Sequence, residues 1–586
     1  MRPHFLLLIA GCSEYDLHDD LSTLETPDTD GDGLCDVPLA NPRSEADPEC
    51  QGQVGTPPEN PWSAATEWRL PGITMSTTPS VGDLDGDGVP SVVVVGNADF
   101  SPTGHLYVLN GADGSVEWQI STGLDGLSGT ALGDVDADGD GDVIATYGSW
   151  GTAHDVAAFD GPTGTELWRV SGPVGGETYP ALGDLDGDGN AELVVNEYVY
   201  NAATGEFLFN LDTSYPNNWG APAIADMDLD GQQEILLYGS VFSGETGDLI
   251  FTCGSPTYDG VFPHPVNVDE DPEAELLVSY NTATVLCDDD GALLHSRPSP
   301  AYYGAAIAVA DFDGDGQQEF ALAQTDEMVL LESDLSVQWT APISDFSGLA
   351  GSTSWDINLD GVPEVIYADE VDILAFDGTN GEVVLRFSDH ESWTAAETPA
   401  VADVDGDGQG ELLYTSNGSY SGLTVIGGTD GDWPYARPVY NQASYSSTNI
   451  NDDLSIPANP EVPWLSEANL FRGQPSEVYV SGIASLTVEI TDACVLSCES
   501  DSGMIAVQVW NEGTMAANAV VTILDDAGNE LAESVLNSVP AGGSAEFTVE
   551  LPISAFSGSI EAVVASSSED CDPSDNSHVW TNVGCP

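Results

Sequence analysis

The residues of this chain that could do chemistry are carboxylates, and they recur in a nine-residue frame that is clearest over residues 184–192, Asp-Leu-Asp-Gly-Asp-Gly-Asn-Ala-Glu. Acidic or amide side chains fill positions 1, 3 and 5, a turn residue fills position 6, and position 9 is usually a carboxylate. Hard oxygen ligands along a tight loop are what Ca²⁺ requires. The eight copies begin at Asp83, Asp134, Asp184, Asp226, Asn267, Asp311, Asp356 and Asp403.

The frame predicts one calcium ion per loop, up to eight in all, with candidate ligands at positions 1, 3, 5, 7 and 9. In loops 1 to 4 the candidates are Asp83, Asp85, Asp87, Val89, Asp134, Asp136, Asp138, Asp140, Asp142, Asp184, Asp186, Asp188, Asn190, Glu192, Asp226, Asp228, Asp230, Gln232 and Glu234. In loops 5 to 8 they are Asn267, Asp269, Asp271, Glu273, Glu275, Asp311, Asp313, Asp315, Gln317, Glu319, Asp356, Asn358, Asp360, Val362, Glu364, Asp403, Asp405, Asp407, Gln409 and Glu411.

Three copies depart from the frame. Ser91 replaces the acid at position 9 of loop 1, loop 5 combines Asn267 with Pro272, and loop 7 has Asn358. We expect loop 5 to bind metal weakly or not at all. The alternative for any single copy is a turn stabilised by Asp, Asn and Gly without metal, but eight copies that crowd carboxylates together favour a cation.

The elements that position these loops are short strands. An apolar run follows position 9 in the repeats, as at residues 92–95 and 193–195, and a hairpin with Asp-Gly or Thr-Gly comes next. Asp-Gly between alternating strands is a strong hairpin signal. Repeats of 41 to 51 residues without helical periodicity predict an all-β fold, an eight-bladed β-propeller over residues 61–433, with seven blades as the alternative.

The loop between short apolar strands resembles the FG-GAP/VCBS repeats of integrin α-subunit propellers and of many bacterial surface proteins. The resemblance covers about residues 62–433 and implies the propeller fold and calcium binding, but no particular ligand. Trp68 matches the outer-strand tryptophans Trp118, Trp168 and Trp339 but precedes the first loop. We therefore expect blades to straddle the sequence repeats and to close the ring, with the tryptophans packing between blades.

The N-terminus is typical of an exported lipoprotein. Arg2 is followed by a short apolar run, and residues 9–12, Ile-Ala-Gly-Cys, resemble the bacterial lipobox, which implies lipidation of Cys12. Residues 1–12 would then be the signal peptide with its lipobox, and residues 13–60 a flexible acidic tether. An outer-membrane or cell-surface lipoprotein is expected, with a secreted protein as the alternative.

The nine cysteines fit export, because one lipidated cysteine leaves an even number for disulfides. We expect Cys35 to pair with Cys50 and Cys253 with Cys287. The pairing among Cys494, Cys498, Cys571 and Cys585 stays open.

After the propeller, residues 434–481 are expected to form a packed linker. Residues 482–586 contain alternating strands that predict an immunoglobulin-like β-sandwich. Residues 507–513 and the pair Asp575-Asn576 resemble bacterial CARDB-type adhesion modules.

The charge limits the function classes. Eight basic residues, all arginine, face 99 acidic ones, giving −91, which excludes nucleic acid and anionic membrane surfaces as partners. We expect a monomer that touches membrane only through its lipid anchor and binds an extracellular protein or glycan through propeller loops, without catalytic residues. The alternative is a propeller-type polysaccharide lyase or another glycan-degrading enzyme, but the chain lacks lysine and its histidines are scattered. A quinoprotein is disfavoured, because its quinone cofactor carries several carboxylates and needs cationic side chains as partners, whereas this chain has a net charge of −91.

Overall fold

The repeats fold into short antiparallel strands because their apolar, often β-branched runs are buried on both faces. The computed structural model describes residues 58, 60–97, 103–149, 153–175, 178–213, 220–254, 262–269, 271–280, 282–299, 304, 306–393, 396–429, 431, 433–466, 469–476, 486–494, 502–511, 517–539, 544–566 and 576–581. Strand β3, Ser91–Gly96, is buried along its whole length. The fold is all-β, with two short 3₁₀ turns at Pro463–Leu465 and Ile553–Ser557.

In the described residues the repeats form eight units of four antiparallel strands, and units 1 and 2 are joined into one eight-stranded sheet by the pair Leu124 and Tyr147. The chain enters through β1, Ala64–Pro71. Units 1 and 2 are β2 (Ser80–Gly82), β3, β4 (Thr103–Asn110), β5 (Val116–Asp125), β6 (Ala131–Gly133), β7 (Asp142–Tyr147), β8 (Ala153–Asp160) and β9 (Glu166–Gly175). Units 3 and 4 are β10 (Ala181–Gly183), β11 (Glu192–Val195), β12 (Tyr198–Asn201), β13 (Phe207–Asn210), β14 (Ala223–Ala225), β15 (Glu234–Leu237), β16 (Ser240–Ser243) and β17 (Leu249–Thr252).

The second half of the repeats continues the same pattern. Units 5 and 6 are β18 (Pro263–Val266), β19 (Glu275–Ser279), β20 (Ala283–Cys287), β21 (Leu293–Pro298), β22 (Ala308–Ala310), β23 (Glu319–Gln324), β24 (Glu327–Leu331) and β25 (Val337–Pro342). Units 7 and 8 are β26 (Ser352–Trp355), β27 (Glu364–Ala368), β28 (Ile373–Phe376), β29 (Val383–Phe387), β30 (Ala400–Ala402), β31 (Glu411–Ser416) and β32 (Gly422–Gly428).

Unit 8 obtains its fourth strand from the start of the chain. Strand β1 pairs antiparallel with β32, with Trp68 opposite Val425. The segments just before β2 and β30 also meet, through a bridge between Thr77 and Ala396. The two ends of the repeat series are therefore joined, as the position of Trp68 in the sequence predicts, and the architecture is propeller-like.

Neighbouring units dock through tryptophans of the outermost strands. Each indole N–H donates to a backbone carbonyl in the hairpin of the next unit: Trp68 to Gly111, Trp118 to Gly161, Trp168 to Ala202 and Trp339 to Gly378. The Trp339 ring also lies against Gly381, where an added Cβ would come within 2.5 Å of it. These contacts confirm that the tryptophans pack between units.

Residues 434–476 pack against the first strands of the repeats and belong to the same compact unit, which spans residues 56–479. Tyr440 exchanges two backbone hydrogen bonds with Val81, at 2.9 and 3.0 Å. Further contacts join Asn441 to Leu132, Gln442 to Leu182, Asn449 to Ile224, Phe471 to Val309, Thr353 to Arg472 and Gln474 to Val401. The segment thus hydrogen-bonds to seven of the eight first strands, and the Phe471 ring packs edge-on against His264 of the eighth, β18, with 5.9 Å between ring centroids. These contacts give the predicted packed linker a structural role.

The C-terminal residues form a separate sandwich of two sheets around one apolar core. One sheet has the order β33 (Leu486–Cys494), β34 (Ser502–Asn511), β37 (Ser544–Pro552). The other has the order β36 (Glu530–Val539), β35 (Ala517–Leu524), β38 (Ser559–Ser566), β39 (Ser577–Thr581).

Of the expected disulfides, the one between Cys253 and Cys287 is confirmed and links unit 4 to unit 5. Cys494 ends β33, but its side chain is outside what the structure describes. Also outside the described residues are Cys12, Cys35, Cys50, Cys498, Cys571 and Cys585, together with the predicted signal peptide and most of the predicted tether. In the described part of the chain, no helix has the length and apolar character needed to cross a membrane.

The tryptophan contacts can be tested at Trp339. Replacing Trp339 by Ala removes a large buried ring and should lower the free energy of unfolding by about 3 to 5 kcal/mol. Trp339→Phe keeps most of the ring but loses the hydrogen bond to Gly378, so about 1 kcal/mol is expected from that bond. Chemical denaturation of both variants measures the two losses. An unchanged free energy of unfolding in Trp339→Phe would contradict a role for the indole N–H, and equal losses in the two variants would contradict a role for burial of the ring.

Candidate metal centres

Each acidic loop joins the first strand of a unit to the second. In all eight loops position 1 follows the first strand directly and position 9 begins the second strand; in loop 1 the residue at position 9 is Ser91 instead of an acid. The strand register places position 9 opposite the residue before position 1, as in the pair Gly183 and Glu192. The sheet itself therefore brings the ninth side chain back to the carboxylates at positions 1 and 3.

Backbone amides shape the loop around its carboxylates, as loop 3 illustrates. Asp184 accepts hydrogen bonds from the N–H groups of Gly187 and Gly189, both at 2.8 Å. Asp188 accepts from the N–H of Asn190 at 2.8 Å. Gly189 has φ +88°, a conformation that favours glycine at position 6. The turn interactions expected without metal are thus present, and they also gather the carboxylates.

The ninth side chain lies beneath the loop. In loops 2 to 8 one of its carboxylate oxygens accepts the backbone N–H of position 2 at 2.7 to 3.0 Å. The residues in this position are buried: Asp142, Glu192, Glu234, Glu275, Glu319, Glu364 and Glu411. Only one oxygen of each carboxylate is used in this bond, so the other is available to a ligand, except in loop 7, where Glu364 Oε1 accepts from Asn358 Nδ2.

Side chains from the loops converge closely enough to share a cation. In five groups of three residues, one oxygen per residue lies within 4.8 Å of the others. Three further groups of this kind occur in the described residues. The five groups are Asp83, Asp85 and Asp87; Asp134, Asp136 and Asp142; Asp184, Asp186 and Glu192; Asp226, Asp228 and Asp230; and Asp269, Glu275 and Asp288. Several acidic clusters could therefore hold a metal ion.

The electrostatics of the metal-free loops favour a positive charge. Burial raises the pKa of Glu192 to about 7, that of Glu234 to about 8 and that of Glu364 to about 9. Repulsion from the neighbouring loop carboxylates contributes to these raised pKa values, after burial. The negative charge of each site thus destabilises the folded state unless protons or a cation compensate it.

The donor chemistry fits a hard divalent cation. Every group offers oxygen ligands alone, which suits Ca²⁺ or Mg²⁺ rather than zinc. In loop 5 the Oε1 atom of Glu275 is buried and has no hydrogen-bond partner among the described residues. A buried carboxylate oxygen without a donor is destabilising unless it is protonated or meets a cation.

The outer strand adds polar groups to three loops that the sequence frame misses. Each lies at a β-bulge, just before an outer-strand tryptophan. In loop 1, Ser91 donates to Glu117 at 2.9 Å, and in loop 6, Gln338 donates to Asp313 at 2.7 Å. In loop 8, partial burial and the loop carboxylates raise the pKa of Glu67 to about 7. The pairs Glu67-Trp68, Glu117-Trp118 and Gln338-Trp339 are the sequence signal that could have identified them.

The loops that depart from the frame differ in structure. In loop 7, Asn358 lies among the other position side chains of the loop: its Nδ2 donates to Glu364 Oε1 at 3.1 Å, and its Oδ1 accepts from the N–H of Asp360 at 2.8 Å. In loop 5, the amide of Asn267 donates to the carbonyl of Asp271 at 3.1 Å. The carboxylate group there includes Asp288, outside the nine-residue frame.

Two histidines among the described residues are buried, and each has a hydrogen-bonding partner within the fold. His264 Nε2 accepts the backbone N–H of Ile307 at 2.8 Å. His390 contacts Ser416 at 2.8 Å, and burial lowers its pKa to about 4. They lie in different parts of the repeat series and do not come together with the acidic loops as one site.

No family model matches the chain, and no curated protein sequence matches it. Among solved structures, the biofilm matrix protein Bap1 of V. cholerae is similar in fold, with a TM-score of 0.62 and 16% identity over 71% of this chain and 99% of that one. The rhamnogalacturonan lyase YesW gives a TM-score of 0.46 and 19% identity over 62% of this chain and 75% of that one. The similarity to Bap1 supports the all-β, propeller-like fold class.

The raised carboxyl pKa values predict how metal-free protein responds to pH. Position-9 carboxyl groups with a pKa of about 7 to 9 stay protonated in the folded state at a pH where the unfolded chain has released those protons. The folded state then binds more protons, so the free energy of unfolding should fall as the pH rises from about 5 to about 8. Thermal unfolding of metal-free protein at pH 5, 6.5 and 8 measures this. A melting temperature that rises over this range would contradict it, and Glu364→Gln should flatten the dependence.

Proposed function

We propose that this chain is an exported, surface-anchored binding protein whose eight units form the blades of one calcium-stabilised β-propeller. It recognises an extracellular protein or glycan through loops of the propeller and performs no catalysis. The observation that carries the proposal is the repeated use of acidic side chains in strand-joining loops, because those groups serve the fold rather than one converging active site.

Calcium acts as a stabilising ligand in this account. The loops offer oxygen donors at the spacing of the nine-residue frame, and calcium takes six to eight such ligands in flexible geometry. Because an ion that binds only the folded state stabilises that state by mass action, the repeats gain stability with each occupied loop. The bound charges would also reduce the repulsion within a chain of −91.

The position of the protein outside the cell rests on the N-terminal sequence. The lipobox-like residues 9–12 supply an acyl anchor, and residues 13–60 place the propeller at a distance from the membrane. The eight-bladed ring, the FG-GAP/VCBS-type repeat and the immunoglobulin-like class of the C-terminal sandwich belong to the same proposal. A matrix role such as that of Bap1 is one form that binding outside the cell takes.

A cleft between loops 5 and 6 offers one place for a ligand. It has a volume of about 590 Å³, within the range of small-molecule sites. Its lining combines the amides of Asn267, Gln317 and Asn469 with the carboxylates of Asp269 and Asp271. Amide and carboxylate groups suit the hydroxyl groups of a sugar, so we propose this cleft for the first tests of glycan binding.

Removal of calcium should lower the stability of the whole repeat region. A site loaded at a hundredfold over its dissociation constant contributes about 2.7 kcal/mol, so several sites together should move the melting temperature by about 10 °C or more. Differential scanning calorimetry with calcium and with chelator measures the shift, with Mg²⁺ as the matched control ion. An unchanged melting temperature would contradict a stabilising role for calcium.

Binding can be separated from catalysis with polysaccharides. The purified chain is applied to an array of glycans with and without calcium, and the same glycans are incubated with it in solution. Calcium-dependent retention without product release is the expected outcome. An ultraviolet-absorbing unsaturated product from pectic substrates would instead show that the protein is a lyase.

A further inference from the structure

Loop 5 differs from the other loops at two positions, and the two changes are physically linked. In the seven other loops an oxygen of the position-1 carboxylate accepts the N–H of the glycine at position 6, at 2.8 to 3.2 Å. Pro272 has no N–H to give. With no donor at position 6, Asn267 instead uses its own amide as a donor, to the carbonyl of Asp271 at 3.1 Å.

A carboxylate group is nevertheless assembled at this loop. Oxygens of Asp269, Glu275 and Asp288 lie within 4.8 Å of one another. Glu275 is fully buried, and its Oε2 accepts the N–H of Val268 at 2.7 Å. Its Oε1 is buried and has no hydrogen-bond partner in the described part of the chain. An unpartnered buried oxygen beside two further carboxylates is the arrangement that a cation would satisfy.

Asp288 is free to face this group because its hairpin differs from those of four other units; the same short turn recurs in unit 6, from Glu332 to Ser336. At the equivalent position of four other units the side chain caps its own turn: Asn110 accepts from Ala112, Asp160 from Thr163, Asn201 from Thr204 and Asp377 from Thr379. In unit 5 the turn is one residue shorter than these, and Asp290 takes over the cap by accepting from Ala292 at 2.8 Å. The Asp288 carboxylate accepts only a 3.3 Å bond, from the N–H of the adjacent Asp289, among the described residues.

The backbone at Asp288 is held on both sides. The preceding residue, Cys287, ends strand β20 and is bonded to Cys253 of unit 4. On the other side the N–H of Asp288 donates to Ala292 and its carbonyl accepts from Gly291, both at 2.8 Å. The disulfide therefore fixes the residue that presents the third carboxylate.

We propose that loop 5 is a complete calcium site whose missing position-1 carboxylate is supplied by Asp288, from the hairpin beyond the third strand, and that the Cys253–Cys287 disulfide positions this ligand. The inference rests on the proposed function in one respect, that calcium occupies the loops. It reverses the expectation that loop 5 binds weakly or not at all. Asp288 thereby supplies the carboxylate that Asn267 removes from position 1.

The test counts calcium bound per folded chain after equilibrium dialysis, by elemental mass spectrometry, in the full chain and three variants. Asp288→Asn should lose one ion. Asp290→Asn, in the same hairpin and with the same change of charge, should lose none. Asp186→Asn, in the regular loop 3, should also lose one ion and serves as the reference for an ordinary site.

The outcomes separate this inference from the proposed function. If the unmodified chain binds no calcium, the proposed function fails. If it binds calcium and Asp186→Asn loses an ion while Asp288→Asn does not, the role of Asp288 is overturned. Should Asp288→Asn fail to fold by circular dichroism, crystals of the unmodified chain loaded with Ca²⁺ decide the question. An ion 2.3 to 2.6 Å from an Asp288 carboxylate oxygen supports the inference, and ions at loop 3 without one at Asp288 overturn it.

Discussion

Repulsion between carboxylates that the fold forces together is the constraint on which this structure depends. Five of the eight units place acidic side chains at positions 1, 3 and 9 of a loop, and the other three place them at two of these positions. The ends of the loop are fixed by strand pairing, as Gly183 and Glu192 are. The loop cannot relax by spreading, because its ninth residue starts a buried strand. Backbone N–H groups offset part of the charge, but the raised pKa values of the buried carboxyl groups show that charge compensation is incomplete. A hard divalent cation in each loop would resolve this imbalance.

The rest of the repeat region joins these loops into one body. Indole N–H groups dock four of the units on the hairpin of the next, and β1 completes unit 8. Residues 434–476 contact the first strands of all eight units. Units that share a cation-dependent turn and contact the same segment should lose stability together. Calcium bound in a single loop would then affect the stability of distant units.

Much of this was predictable from sequence because the signals are local. The nine-residue frame located the loops, the apolar runs located the second strands, and Trp68 before the first loop indicated that β1 belongs to the last unit. The carboxylate side chains that approach the loops from outside the frame were harder to find. Glu117 reaches loop 1 through a β-bulge, and Asp288 reaches loop 5 because its hairpin is short, and neither register nor turn length is encoded in the loop itself. The packing of residues 434–476 was also only partly visible, since its contacts join residues far apart in the chain and leave no periodic pattern.

The central claim is that a bound cation orders the acidic loops of all the repeats. Hydrogen–deuterium exchange, followed by mass spectrometry on peptides that cover the loops, measures this order directly in metal-free and calcium-loaded protein. The account predicts that amides at positions 4 to 7 of the loops become protected when calcium is added, while peptides from the C-terminal sandwich are unaffected. Exchange in the loops that is the same with and without calcium would contradict it.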